Sequence, residues 1–211
     1  NITLPFKKKI IPFLDNLDDI AIYTQSVNTL FKTHNQVMGL NTDVQGFTSS
    51  FTKDPAIEYE GKNIFIIGAG GVTSSIIAGL HSGINKIYIT NRTKEKAEQL
   101  KKQDLSKRIE IINWGEIPKV CDLVINTTSV GLKNDENLDL DFKGYENKKN
   151  VLFYDIIYNP KETNFLKDAR LRGNKTMNGK MMFLNQAAFA FQKWTNIYPT
   201  IDDEVIKLLE K

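Results

Sequence analysis

The chain has 211 residues, a formal net charge of +3 and 41% hydrophobic residues, which fits one large or two small domains with real cores. Its lysines are scattered apart from Lys7-Lys8-Lys9, so no nucleic-acid face is expected, and no apolar run approaches the roughly 18 residues of a membrane helix. Cys121 is the only cysteine, which excludes an intramolecular disulfide and fits a reducing, cytoplasmic setting; no signal peptide is legible, and the two histidines, His34 and His81, lack partners for a metal site.

In chain order, Asn1–Thr3 reads as a strand end, followed by a lysine-rich helix disturbed at Pro12. Val27–Phe31 and Val37–Leu40 read as a hairpin around His34-Asn35. Residues 64–67, 86–90, 108–112, 122–126 and 151–155 are short runs rich in Ile and Val, typical of buried strands. Helical patterns at about 71–83 and 94–104 separate the first three, with His81 in the first of them. This alternation predicts a parallel sheet with helices on both faces. Lys133–Asn150 is a polar loop, and a helix over Thr163–Arg172 stops at Gly173. Met181–Trp194 is a strongly apolar helix and Ile201–Leu209 a shorter amphipathic one. The expected fold is α/β: a Rossmann-like doubly wound parallel sheet over residues 43–179, plus a second, smaller α/β lobe built from residues 1–42 and 180–211.

The stretch Ile64–Thr93 carries the clearest chemistry. An apolar strand runs straight into Gly68-Ala69-Gly70-Gly71-Val72 and then a helix. Glycine lets the backbone approach a pyrophosphate, and helix N–H groups point at it. Thr73 stands where a third glycine is common, so a tight strand-to-helix turn without a cofactor is the competing reading. The second strand ends in Asn91-Arg92-Thr93. An NAD site usually has an acidic residue there, about 20 residues past the glycines, for the ribose hydroxyl. The cationic Arg92 suits a 2′-phosphate, hence NADP. Hydride transfer to a carbonyl also needs a proton donor. Lys7, after a stiff extended run, and Asp43, at the expected junction between lobes, are a candidate pair whose charges alter each other's proton affinity. On residue pattern alone, Lys7 also fits a surface lysine, Asp43 a helix N-cap, and Asp122 and Asp155 strand caps.

The motifs NITLPFK, SVNTLF, LNTDVQGF, IFIIGAGG, TNRT, DLVINTTSVGL, YDIIYNPKETNFLKDARLRG and NGKMMFLNQAAFAFQKW occur in one order along the chain. In that order and spacing they resemble the shikimate dehydrogenase family from Asn1 to about Leu209. The resemblance implies an NADP-dependent oxidoreductase that reversibly reduces 3-dehydroshikimate to shikimate, on the route to chorismate and the aromatic amino acids. It implies Lys7 and Asp43 as the catalytic pair. Thr3, Asn28, Asp43, Tyr158 and Gln186 would bind substrate. Gly68, Ala69, Gly70, Gly71 and Val72 would cradle the pyrophosphate, with Asn91, Arg92, Thr93 and Lys96 at the adenosine ribose and its phosphate. Thr127, Ser129, Gly179 and Met182 would border the nicotinamide. Lys96 fits a solvated helix lysine equally well. The family has a further segment ahead of the position of Asn1, with a paired-serine S-x-S pattern for the substrate carboxylate, so the substrate lobe is expected to be incomplete in this chain. Thr127 and Lys180-Met181 also depart from the family pattern. The alternatives are a quinate/shikimate dehydrogenase of relaxed specificity and a non-catalytic NADP-binding remnant or sensor. A monomer or homodimer with a small-molecule substrate is expected.

Overall fold

The structure, a computed structural model, describes residues 1–51, 60–80, 83–104, 106–133, 135–148 and 150–209; His81 lies outside them. In chain order the elements are β1 (Asn16–Leu17), α1 (Asp19–Thr24), β2 (Thr29–Thr33), β3 (Gln36–Leu40), α2 (Asp43–Phe51), β4 (Asn63–Ile67), α3 (Gly71–Gly79), β5 (Lys86–Thr90), α4 (Lys94–Gln103), β6 (Ile109–Ile111), β7 (Leu123–Asn126), β8 (Leu152–Asp155), α5 (Asn164–Leu171), β9 (Lys175–Asn178), α6 (Lys180–Thr195) and α7 (Asp203–Leu208). They fall into two compact units. One contains residues 1–57, 71–81 and 181–211, and the other residues 58–70 and 82–180.

The second unit is built on a six-stranded sheet in the order β6-β5-β4-β7-β8-β9, parallel throughout. Counted along the unit this is 3-2-1-4-5-6, the doubly wound order of dinucleotide-binding sheets. The central strands are buried on both faces: Ile64–Ile67, Leu123–Asn126 and Leu152–Asp155 are buried throughout. That is why they read as unbroken apolar runs rather than alternating ones. Helix α4 packs on β5 and β6, and α5 on β8 and β9. The Thr163 hydroxyl caps α5 by accepting from Leu166 N–H, and Gly173 follows with a positive φ of 81°. One core cluster combines Phe65, Phe142, Tyr145, Phe153 and Phe165. The Phe142 ring meets Phe153 edge-on at 5.3 Å and Phe165 at 5.8 Å, the favoured geometry for aromatic quadrupoles.

In the first unit, β2 and β3 form the expected antiparallel hairpin, and β1 adds to β3 in parallel. His34 and Asn35 turn the hairpin, both with positive φ (44° and 62°), the backbone of a primed turn that matches strand twist. Two expectations for the first residues do not hold. Asn1–Thr3 is not a strand: Ile2 N–H bonds Asn28 O at 2.7 Å, and Asn1 Nδ2 donates to Asn28 O and Thr29 Oγ1, both at 3.1 Å. The lysine-rich stretch is a run of turns ending in a short 3-10 segment, Ile11–Phe13, rather than an α-helix. Proline at position 12 has no N–H for the carbonyl four residues back, and Ile11 N–H instead takes the tighter bond to Lys8 O.

Glycine sets the helix packing of this unit. A Cβ at Gly46 would lie 2.7 Å from Gln186 Cβ and 2.8 Å from the Met182 carbonyl oxygen. Helices α2 and α6 therefore touch backbone to backbone at a point where no side chain fits. Among the described residues, no helix is long and apolar enough to cross a membrane.

Candidate active site

Asp43 opens α2 directly after β3, and four segments of the first unit converge on it. The Lys7 ammonium lies 2.6 Å from Asp43 Oδ2, with the two side chains only 14% and 6% exposed. Asn28, buried just before β2, donates from Nδ2 to Asp43 Oδ1 (2.9 Å), Thr42 Oγ1 (2.9 Å) and Gln186 Oε1 (3.3 Å). Its carbonyl oxygen Oδ1 accepts from Thr42 N–H at 2.9 Å. Thr42 Oγ1 in turn donates to the Gln186 carbonyl at 2.9 Å, which fastens α6 to the start of α2. Lys7 is itself fixed, because its carbonyl accepts from Val27 N–H at 2.9 Å. Both carboxylate oxygens of Asp43 thus have donors, one of them cationic. The arrangement can do acid–base chemistry: a sequestered ammonium held by a carboxylate, ringed by amides and hydroxyls that can take a polyhydroxy ligand.

The structure therefore gathers Lys7, Asn28, Asp43 and Gln186 into one hydrogen-bonded cluster. Thr3 stands apart from it as an exposed turn residue whose carbonyl accepts from Phe6 N–H. Met182 is buried in α6, its carbonyl against Gly46. Tyr158 is half-buried in the segment after β8.

The glycine-rich segment lies where β4 gives way to α3. Gly68 has φ +110°, and a Cβ there would meet Thr127 Oγ1 at 2.6 Å. The carboxyl ends of β4 and β7 are thus held close at the point where strand order reverses, the usual ligand position in such sheets. Thr127 Oγ1 donates to Ile67 O at 2.9 Å, so the threonine there is a tie between these strands. Ala69 N–H donates to Asn91 Oδ1 at 3.1 Å, and Asn91 Nδ2 to Thr93 O at 2.7 Å, which locks the glycine turn to the end of β5. Among the described residues, chain neighbours and the helix's own backbone aside, nothing lies within 4 Å of a Cβ built at Gly70 or Gly71. That open space ahead of a helix start fits a pyrophosphate. Arg92, Thr93 and Lys96 are exposed at the end of β5 and the start of α4. Ser129 is exposed after β7. Gly179 is buried with its Cα against the Ile156 carbonyl, where any side chain would clash.

Sequence reasoning named Asp155 only as a strand cap and did not foresee its burial. Asp155, at the end of β8, accepts from Asn126 Nδ2 (3.1 Å), Ile157 N–H (3.0 Å) and Thr163 Oγ1 (2.7 Å). Burial raises its carboxyl to about 6, the three donors pulling it down less than burial lifts it. The signal was available in the D-x-x-Y-x-P-x-x-T spacing, where Asp155 and Thr163 are eight residues apart. Asp122 instead accepts from Asn63 N–H at 2.9 Å.

A doubly wound sheet, a glycine turn at its switch point and a buried Lys–Asp pair define the class: a dinucleotide-dependent oxidoreductase. Comparison with known proteins narrows it. A family model described as shikimate / quinate 5-dehydrogenase matches residues 51–167. The shikimate dehydrogenase (NADP(+)) of Pelagibacter ubique is 49% identical over 211 residues, covering 100% of this chain and 77% of that protein. The crystal structure of the Aquifex aeolicus shikimate dehydrogenase superposes with a TM-score of 0.87 at 35% identity, covering 100% of this chain and 76% of that one. The Thermus thermophilus enzyme, solved in complex with NADP(H) and shikimate, gives a TM-score of 0.84 at 26% identity, covering 99% and 76%. The chain belongs to the shikimate dehydrogenase family.

Proposed function

We propose that this protein is an NADP-dependent shikimate dehydrogenase of the shikimate pathway, acting in the cytoplasm on a small-molecule substrate. The observation that carries the reading is the buried Lys7–Asp43 contact of 2.6 Å with Asn28 on the second carboxylate oxygen. A merely structural module has no need of such a pair, since two charges withdrawn from water cost about as much as their attraction returns.

When bound, NADPH supplies the hydride that reduces the C3 carbonyl of 3-dehydroshikimate. As negative charge develops on that oxygen, the Lys7 ammonium gives it a proton, and the hydroxyl of shikimate results. Asp43 holds the ammonium in place and, with Asn28 and Gln186, accepts and donates hydrogen bonds to the ring hydroxyls. Thr3 and Tyr158 are assigned to the substrate as well. Gly68, Ala69, Gly70, Gly71 and Val72 take the pyrophosphate on backbone N–H groups, while Asn91, Arg92, Thr93 and Lys96 take the adenosine ribose and its 2′-phosphate. Thr127, Ser129, Gly179 and Met182 border the nicotinamide. Residues 1–42 with 180–211, joined by Asp43 and Tyr158, serve the substrate, and the rest of 43–179, joined by Met182, serves the cofactor.

The test is Lys7→Ala in the intact protein. Shikimate-dependent NADP reduction should fall by about 1,000-fold, within the range a positioned acid contributes, while NADP binding, read by fluorescence titration, stays unchanged. Turnover at the wild-type rate in this variant refutes the assignment.

A further inference from the structure

We propose that Asn41 is a positioning residue for the Lys7–Asp43 pair, and that it sets the catalytic carboxylate against helix α3. This rests on the functional reading above, but it concerns a side chain to which that reading gives no role.

Asn41 lies between β3 and α2 and has no exposed surface. Every polar atom of its amide group has a partner. Oδ1 accepts from the Asp43 N–H at 3.0 Å, a turn in which an asparagine side chain caps its own backbone two residues on. Nδ2 donates to Thr24 Oγ1 at 2.9 Å and to Ser75 Oγ at 2.8 Å. Both hydroxyls are buried as well, Thr24 at the end of α1 and Ser75 within α3. Thr24 is anchored by its own bond to Ile20 O at 2.7 Å, and Ser74, next to Ser75, donates to Thr24 O at 2.8 Å.

These bonds fix the first peptide of α2 from three directions. The Asp43 carboxylate leaves that peptide, so its position relative to the Lys7 ammonium follows from where Asn41 holds the backbone. Helix α3 is the one whose first residues, Gly71 and Val72, are assigned to the pyrophosphate. A single amide therefore references the catalytic carboxylate to the helix that starts at the cofactor turn. Displacement of a catalytic group by about 1 Å costs on the order of 100-fold in rate, which sets the scale of the effect.

The experiment compares wild type, Asn41→Ala, Asn41→Ser and Ser75→Ala in the intact protein, with kcat and KM measured for shikimate and NADP and the binding-competent fraction counted by NADPH fluorescence titration. In Asn41→Ala, kcat per binding-competent molecule should fall about 100-fold, with KM for shikimate changed by less than about threefold, because Lys7, Asn28 and Gln186 remain. Serine at position 41 can still accept from the backbone two residues on, so Asn41→Ser should recover about tenfold of that loss. Ser75→Ala, which leaves the Asp43 turn intact, should lower kcat about fivefold. The proposal is overturned if kcat per competent molecule stays within about twofold of wild type in both Asn41→Ser and Ser75→Ala. It is also overturned if serine fails to do better than alanine. Should Asn41→Ala not fold, the other two variants decide the matter. Failure of the functional reading looks different: wild type itself would then show no shikimate-dependent reduction of NADP.

Discussion

Replacing Asp155 by Asn should change how stability depends on pH, and the sign of the change distinguishes two opposing forces. Burial lifts the carboxyl from its ordinary 3.8 to about 6, against the pull of three hydrogen-bond donors. A carboxyl raised in the folded state binds more protons folded than unfolded between those two values, so stability falls as pH rises. Its contribution is fully present below pH 3.8 and is lost as pH climbs through about 6. A gap of about two pH units corresponds to about 3 kcal/mol. The amide side chain of the variant is neutral throughout and lacks this dependence; the constant cost of turning its N–H toward existing donors cancels in the comparison. Urea unfolding of wild type and Asp155→Asn at intervals from about pH 4 to about pH 7.5 gives the stability difference at each pH. Wild type should lose about 3 kcal/mol relative to the variant across that range. A difference that stays flat means that donors and burial cancel, and one that moves in favour of wild type as pH rises means that the donors outweigh burial; either refutes the reasoning.

Two further outcomes are expected. Arg92→Ala should raise KM for NADPH by about 10- to 100-fold, the loss of one charge-assisted phosphate contact of roughly 1.5–3 kcal/mol, and leave KM for NADH nearly unchanged; equal effects on both cofactors would remove Arg92 from the 2′-phosphate. Burial pushes the Cys121 thiol up to about 12, so it should resist iodoacetamide at about pH 8 until the protein is unfolded in urea, as read by mass spectrometry.

The nucleotide unit was legible in the chain because parallel strands buried on both faces leave long apolar runs, as at Ile64–Ile67 and Leu123–Ile125. Strand β9 was not, since Lys-Thr-Met-Asn at a sheet edge needs no such run. Helix α1 has six residues, too few for a hydrophobic period to show, although Asp18 caps it by accepting from Ala21 N–H. Helix α2 hid behind Gly46, a poor helix residue kept for contact with α6. The meeting of Lys7, Asn28, Asp43 and Gln186 came from motif resemblance rather than from physics, because nothing local links a pair such as Asn28 and Gln186, 158 positions apart, before the fold exists. Asn41 was passed over inside a quoted motif: its work is done through backbone and hydroxyl partners that sequence does not display.

The backbone contact at Gly46 also fixes an order of events during synthesis. Gln186 and Thr42 are joined across 144 positions of chain. All of the six-stranded unit, residues 58–70 and 82–180, lies between them in the chain and is made before Gln186. Helix α2 meanwhile waits with Gly46 and the Asp43 region uncovered, until α6 arrives to close over them. The six-stranded unit is thus complete in sequence while Asn28 and Thr42 still lack Gln186, which arrives only with α6.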